Sequence, residues 1–318
     1  MTRADEWPAL PYDDWAETCT TLHLWAQIVG KVRMAASPWI NHSWQATLYP
    51  TARGLTTSTL AARGRVFEVD LDLRDHHLRV SAADGGRWEL PLPGQTVASF
   101  HGELLAALER LGVGVRIHGA PNELPEATPF AEDGRGAYDP DAAGRFHRVV
   151  LQSERVMRRF RSRFLGKSSP VHLFWGALDL AVTRFSGRPA PPHPGGIPNL
   201  PDEVTRDAYS HEVSSAGWWP GHGGLGYPAY YSYAYPEPEG FGESPVAPAD
   251  AFYSPDLGEF LLPYDAVRTA ADPEAVLLAF LQSTYEAAAD RAGWDRPALE
   301  REEGPPPGLR SPAFRQGG

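Results

Sequence analysis

The sequence predicts an α+β fold: an antiparallel sheet built from two similarly ordered helix–strands–helix halves, with the helices packed on the sheet. Three observations carry that expectation. Several helix starts are marked by caps, among them Asp139-Pro140 and Asp272-Pro273, each an N-cap followed by a proline at the first helical position. Between the capped segments lie runs with the two-residue alternation of half-buried strands, clearest in Val66-Phe67-Glu68-Val69-Asp70-Leu71-Asp72-Leu73. The 31 glycines and 31 prolines among 318 residues supply the turns that such a meander needs.

Taken in order, Asp14 and Glu17 have capping-box spacing and open a helix over 14–35, striped by Trp15, Leu22, Trp25, Val29 and Val32. Strands are expected at 43–51, 55–60, 65–73, 76–82 and 86–91, with Asp84-Gly85-Gly86 as a hairpin turn. Thr96 caps a helix over 96–112, with Leu104, Leu105, Leu108 and Leu111 inward and Gly112 as its stop. This completes an N-terminal half, 1–118. A Pro- and acid-rich connector, 119–139, leads to a C-terminal half, 140–296, that carries the candidate site. Its helices are expected at 140–165 and 273–292, its strands at 171–186, 211–219, 229–236 and 258–263. The halves are expected to form one composite domain, and the tail 297–318 to be disordered.

The halves also share wording. Ser37-Pro38 followed by Trp44, Ala46 and Arg53 is echoed by Ser169-Pro170 followed by Trp175, Ala177 and Arg184. An internal duplication about a pseudo-twofold axis accounts for both the order and the echo.

Composition limits the function. The chain carries 40 acidic against 29 basic residues, a net charge of −11, which argues against nucleic acid and anionic membranes as partners. One cysteine, Cys19, rules out an intrachain disulfide framework and a cysteine zinc cage; its place in the first helix marks it as core rather than nucleophile. No apolar window is long enough to span a membrane, and the acidic start lacks a signal-like run, so a soluble cytoplasmic protein is expected.

Four phrases, Ser37-Pro38-Trp39-Ile40-Asn41-His42-Ser43-Trp44-Gln45, Ser169 to Gly176, Arg184 to Arg188 and Tyr209 to Ser215, resemble a bacterial family catalogued as domain of unknown function 5996. The resemblance runs from about Trp7 to Trp294. It implies one full-length module and brings no activity, cofactor or substrate with it.

Chemistry concentrates in the second half. His172 and Asp179 sit in an apolar run, where a polar ring needs a partner and a carboxylate needs a cation, donors or a proton. His193 lies in a Pro/Gly loop, and His211 and Glu212 open a strand. One reading makes His172, His193 and His211 metal ligands with Asp179 or Glu212 as carboxylate, a set that suits Zn or non-haem Fe(II). A second uses His172, Asp179, His211 and Glu212 for metal-free acid–base work. Arg184 and Arg188 anchor an anionic group in either reading, joined by His42 and Arg53 if the halves pair. The alternative for Arg184 is a buried pair with Asp179. Tyr231, Tyr233 and Tyr235 share a strand face beyond Trp219, a surface fit to stack a small ligand or to pack the sheet, and 220–228, with His222, is a candidate lid.

No nucleotide-binding glycine loop and no Gly-x-Ser-x-Gly elbow occurs. Three function classes remain. The first is an enzyme for a small polar or anionic substrate. The second is a non-catalytic small-molecule binding protein using the same pocket. The third is an interaction protein whose basic helix, with Arg155, Arg158, Arg159 and Arg163, docks an acidic partner.

Overall fold

A computed structural model describes residues 6–304 of the chain. In chain order the elements are α1 Ala16–Ala35, β1 Thr47–Thr51, β2 Gly54–Thr56, β3 Leu60–Ala62, β4 Arg65–Asp72, β5 His77–Ala82, β6 Arg87–Pro91 and α2 Val97–Arg110. They continue with α3 Pro140–Ser162, β7 His172–Phe174, β8 Asp179–Pro189, α4 Asp202–Ala208, β9 His211–Trp219 and β10 Ala229–Tyr235. The last are β11 Phe252–Ser254, β12 Glu259–Pro263, α5 Tyr264–Arg268, α6 Pro273–Arg291 and α7 Arg296–Leu299. The fold is α+β. One antiparallel sheet runs β11-β12-β10-β9-β8-β7-β1-β2-β4-β5-β6, with β3 paired beside β2 on β4. No helix among the described residues is long and apolar enough to cross a membrane.

Three caps form as their residues dictate. Thr96 and Ser99 exchange bonds in a capping box at 3.1 and 2.9 Å. Asp139 accepts from the Asp141 amide and Asp272 from the Ala275 amide, each before its proline. The first helix starts differently. Asp14 is consumed in a 3-10 turn, Tyr12–Asp14, and Trp15 precedes α1 without any side-chain cap. Burial replaces the cap: α1 is enclosed on nearly every side, with Thr18, His23, Gln27, Lys31 and Arg33 buried beside Leu22, Trp25, Val29 and Val32. Cys19 is fully buried there, and burial pushes its thiol up.

Several strands differ from expectation. Residues 171–186 form a hairpin, β7 and β8, because Leu178 turns left-handed at φ 49° just before Asp179. The run 55–60 is broken by Ser58 at φ 56° into β2 and β3. The strand expected from 43 begins at Thr47, since Asn41–Ser43 is a 3-10 turn. Asp72, at a polar position of the β4 alternation, is nevertheless buried between Arg53 and Arg79. Helices α4, α5 and α7 and strand β11 lie outside the predicted elements, although Asp295 caps α7 on the Ala298 amide at 3.3 Å with Pro297 in its first turn. Of the tail 297–318, Leu299 ends α7, Glu300 bridges to Phe164 and Glu303 takes Arg159 and Arg163; residues 305–318 lie outside the described residues.

Each half runs helix, meander, helix, and the halves join where Thr47 and Leu48 of β1 face Phe174 and Leu173 of β7. The worded echo does not land on matching positions. Trp44 precedes β1 whereas Trp175 follows β7, and Arg53 lies in a turn whereas Arg184 lies within β8. Repetition is therefore one of element order.

The sheet has two unlike faces in the second half. Trp218 packs 5.8 Å from Phe146 of α3, and the Tyr230 hydroxyl meets Ser153 of α3 at 2.8 Å, which makes that side the helix face. By strand register, Asp179, Ala181, Thr183, Phe185, Ser215, Gly217, Tyr231 and Tyr233 occupy the other. The hairpin turn carries Trp175 back onto α1, where Gly30 leaves room for its indole; a Cβ there would overlap the ring. Gly30→Ala is expected to destabilise the fold by about 1–3 kcal/mol through this overlap, read as a lower urea midpoint with an altered near-ultraviolet tryptophan signal.

Candidate functional site

On the face of the sheet opposite α3, residues from five segments converge around Asp179. It stands at the start of β8 and accepts a hydrogen bond from the Tyr231 hydroxyl on β10. The phenol reaches it by crossing Gly217 of β9, where a Cβ would collide with the hydroxyl. Tyr231 and Tyr233 stack with centroids 6.0 Å apart, the Tyr233 and Tyr209 hydroxyls meet at 2.8 Å, and His193 stacks on Tyr209 at 4.8 Å. Glu259 enters from β12.

The connector supplies a further acid. The Glu123 amide donates to Pro198 O at 2.9 Å, and its carboxylate rests against Gly176, where a Cβ would overlap it. The preceding residue is clamped by α1: Gln27 donates to Asn122 O at 2.9 Å and accepts from the Asn122 amide at 2.8 Å. Lys31, one helical turn further on, donates to the Asn122 side chain and lies 5.3 Å from the Trp175 ring centre. His23, one turn earlier, bonds Gly176 O at 2.8 Å, and its ring packs 4.9 Å from His222, which accepts from Trp219 Nε1 at 3.0 Å.

Burial sets the electrostatics. It pushes the Asp179 carboxyl up to about 6, against the opposing pull of the Tyr231 hydroxyl. Glu123 and Glu259 each rise to about 7, by burial and then by the nearby Asp179 charge, while Lys31 draws Glu123 partly back. Lys31 itself falls to about 8 through burial. His23 and His222 fall to about 4 and about 3 for the same reason and are neutral at ordinary pH.

Of the residues singled out from the sequence, Asp179, Tyr231 and Tyr233 stand in this cluster, His193 joins it through Tyr209, and Trp219 lies against His222 beside it. The others lie elsewhere. His172 is fully buried beside Trp44, Tyr49 and Phe174, and neither ring nitrogen has a partner among the described residues. Burial pushes it down to about 3. His211 lies 5.8 Å from His42. Consistent with that scatter, no three His, Cys, Asp or Glu among the described residues are placed to hold a metal ion, so the set His172, His193 and His211 does not assemble.

The arginines also point away. Arg184 is buried on the helix face, 3.4 Å over the Phe160 ring, and donates to Phe160 O rather than to Asp179. Arg188 pairs with Glu212 at 2.6 Å and donates to Ala292 O at the end of α6. Arg53 pairs with Asp72 and Asp75 beside a groove of about 850 Å³ on the first half. On α3, Arg155 and Arg159 pair with Glu274 and Arg158 with Glu154, and Arg163, just past its end, pairs with Glu303.

Sequence reading missed Glu123, Glu259, Tyr209 and the α1 contribution. A signal for the last existed: His23, Gln27 and Lys31 recur every fourth residue in the otherwise apolar stretch 22–32, which puts them on one face.

Residues 7–301 match the model of DUF5996, described as a family of unknown function. No curated protein and no solved structure matches the chain.

A carboxyl whose folded pKa is raised stabilises the fold below its unfolded pKa and loses that contribution as pH climbs through the folded value. For Asp179 the window runs from about 4 to about 6. Asp179→Asn, which keeps an acceptor for Tyr231, is therefore expected to match wild type near pH 4 and to exceed it by about 3 kcal/mol at pH 8. Paired thermal melts across that range check it.

Proposed function

We propose, for a chain that belongs to the DUF5996 family, that the protein is an acid–base enzyme acting on a small neutral or cationic polar molecule, such as a polyol, sugar or amine, bound in the Asp179 cleft. One observation carries this reading: three half-buried carboxyls, Glu123, Asp179 and Glu259, are pushed up to about 6 or about 7, all by burial and the two glutamates also by the Asp179 charge. Carboxyls so tuned exchange protons readily near neutral pH, and such exchange is worth roughly 10²–10⁴ in rate. In this reading Asp179 moves the proton, with Tyr231 holding its orientation. The stacked Tyr231 and Tyr233 offer an apolar wall to a ring or a carbon chain.

The same arrangement disfavours an anionic substrate. Three acids repel it, and Arg184 and Arg188 are engaged elsewhere. A second reading, a non-catalytic binding protein using this cleft, draws support from the Tyr231–Asp179 bond, which already satisfies one carboxyl oxygen. Docking of an acidic partner on α3 finds less support, because Arg155, Arg158, Arg159 and Arg163 are paired within the protein. A buried, unpaired Cys19 suits a reducing compartment such as the cytoplasm.

The test is a thermal-shift screen of polyols, sugars and amines beside size-matched anions, followed by turnover assays on the hits. Neutral or cationic hits are expected, with Asp179→Asn lowering turnover at least 100-fold while binding changes only a few-fold. Loss of binding without any measurable turnover in wild type favours the binding protein. Hits confined to anions, or indifferent to both Asp179→Asn and Glu259→Gln, sink the cleft as the site.

A further inference from the structure

The far end of the same β8 face gathers residues that the cleft does not use. Phe185 lies six residues beyond Asp179 on that strand, roughly 20 Å away at the rise of an extended chain. Around it stand His42 and Trp44 from the turn before β1, Lys167 from the link between α3 and β7, and His211 from β9. The phrases at 37–45, 184–188 and 209–215, far apart in sequence, meet here.

Hydrogen-bond directions are fixed by chemistry. Lys167 Nζ has only protons to give, so at 2.6 Å it donates to His42 Nε2. His42 Nδ1 therefore carries the ring proton and donates to Ala208 O at 3.0 Å. The ammonium sits 5.1 Å from the Phe185 ring centre and 5.4 Å from that of Trp44, a cation held by rings. It forms no ion pair with any described residue, and two of its three protons are left over. His211 presents a second imidazole 5.8 Å from the first, its Nδ1 occupied by Ser210 Oγ at 3.1 Å.

Unpaired polar groups stand nearby. The buried hydroxyls of Ser43 and of Thr205, on α4, have no partner among the described residues, and neither has His172 beyond Trp44. The acceptor nearby is the Asp207 carboxylate, which takes a bond from Trp39 Nε1 at 3.1 Å. The turn is also bent into the left-handed region at two successive non-glycine residues, His42 at φ 62° and Ser43 at φ 57°. Such backbone costs energy and persists where packing holds a side chain in a particular place. Here it brings His42 under the ammonium. Access is open, since Lys167 is exposed and Trp39 at the edge is 59% exposed.

We propose that this notch binds an oxyanion, the carboxylate or phosphate group of a ligand, with Lys167 as its counter-ion and His211 as a further donor. It is separate from the Asp179 cleft, and its charge preference is opposite.

The test titrates inorganic phosphate and acetate in turn, at constant ionic strength with chloride as the control, into wild type, Lys167→Met and Asp207→Asn. Either oxyanion is expected to raise the melting temperature above the chloride control and to shift the His42 and His211 ring resonances in NMR. Lys167→Met, at an exposed position, should fold and lose both responses, while Asp207→Asn, which removes a competing negative charge, should bind about 3–10-fold more tightly. Which of the two anions acts assigns the group as phosphate or carboxylate. Wild type indifferent to both, or a response of equal size in Lys167→Met, overturns the proposal.

Discussion

Enclosure of α1 is the constraint from which the arrangement of this protein follows. A helix buried on nearly every side cannot send its polar side chains to water, and each must find a partner inside or cost several kcal/mol. Arg33 meets this demand on Thr57 O, which ties the helix to the link between β2 and β3. His23 meets it on Gly176 O, Gln27 on both backbone groups of Asn122, and Lys31 on the Asn122 side chain. These partners belong to the other half or to the connector. One helix thus sets the position of the hairpin turn and of the chain that carries Glu123.

Absent side chains complete the geometry. Gly30 admits the Trp175 indole, Gly176 admits the Glu123 carboxylate, and Gly217 lets Tyr231 lie across β9 to reach Asp179. Each removes a Cβ where two segments must approach more closely than side chains permit. The cluster around Asp179 is shaped as much by these three positions as by the side chains that form it. None of the three has a left-handed backbone, so their requirement is for space rather than for conformational freedom.

What was legible in the sequence was local. Thr96, Asp139 and Asp272 announced their helices because a cap and the bond that it makes lie within three residues, and β4 announced itself by alternation. Asp14 misled because the capping pattern takes no account of the 3-10 turn that absorbed it. Arg184 and Asp179 looked like partners in an apolar run, but odd and even positions of a strand face opposite sides, and the run was a hairpin. Glu123 and Glu259 carry no local mark at all. Their significance comes from meeting Asp179 across segments more than fifty residues apart, and no window of sequence contains that meeting.

The join between β1 and β7 is short, Thr47 with Phe174 and Leu48 with Leu173, beside the long ladder of β9 and β10 from Val213 to Trp219. A short ladder resists twisting weakly, so the angle between the half-sheets is held mainly by the helices packed across them. Since α1 leads into β1 yet grips Gly176 and Asn122, a rotation of one half against the other would shear the wall of the recess. Either half alone would also bare an edge strand, β1 or β7, as a template for unwanted pairing. The site is thus a joint possession: the second half supplies Asp179, Tyr231 and Glu259, and α1 of the first half holds the hairpin turn and the connector against them.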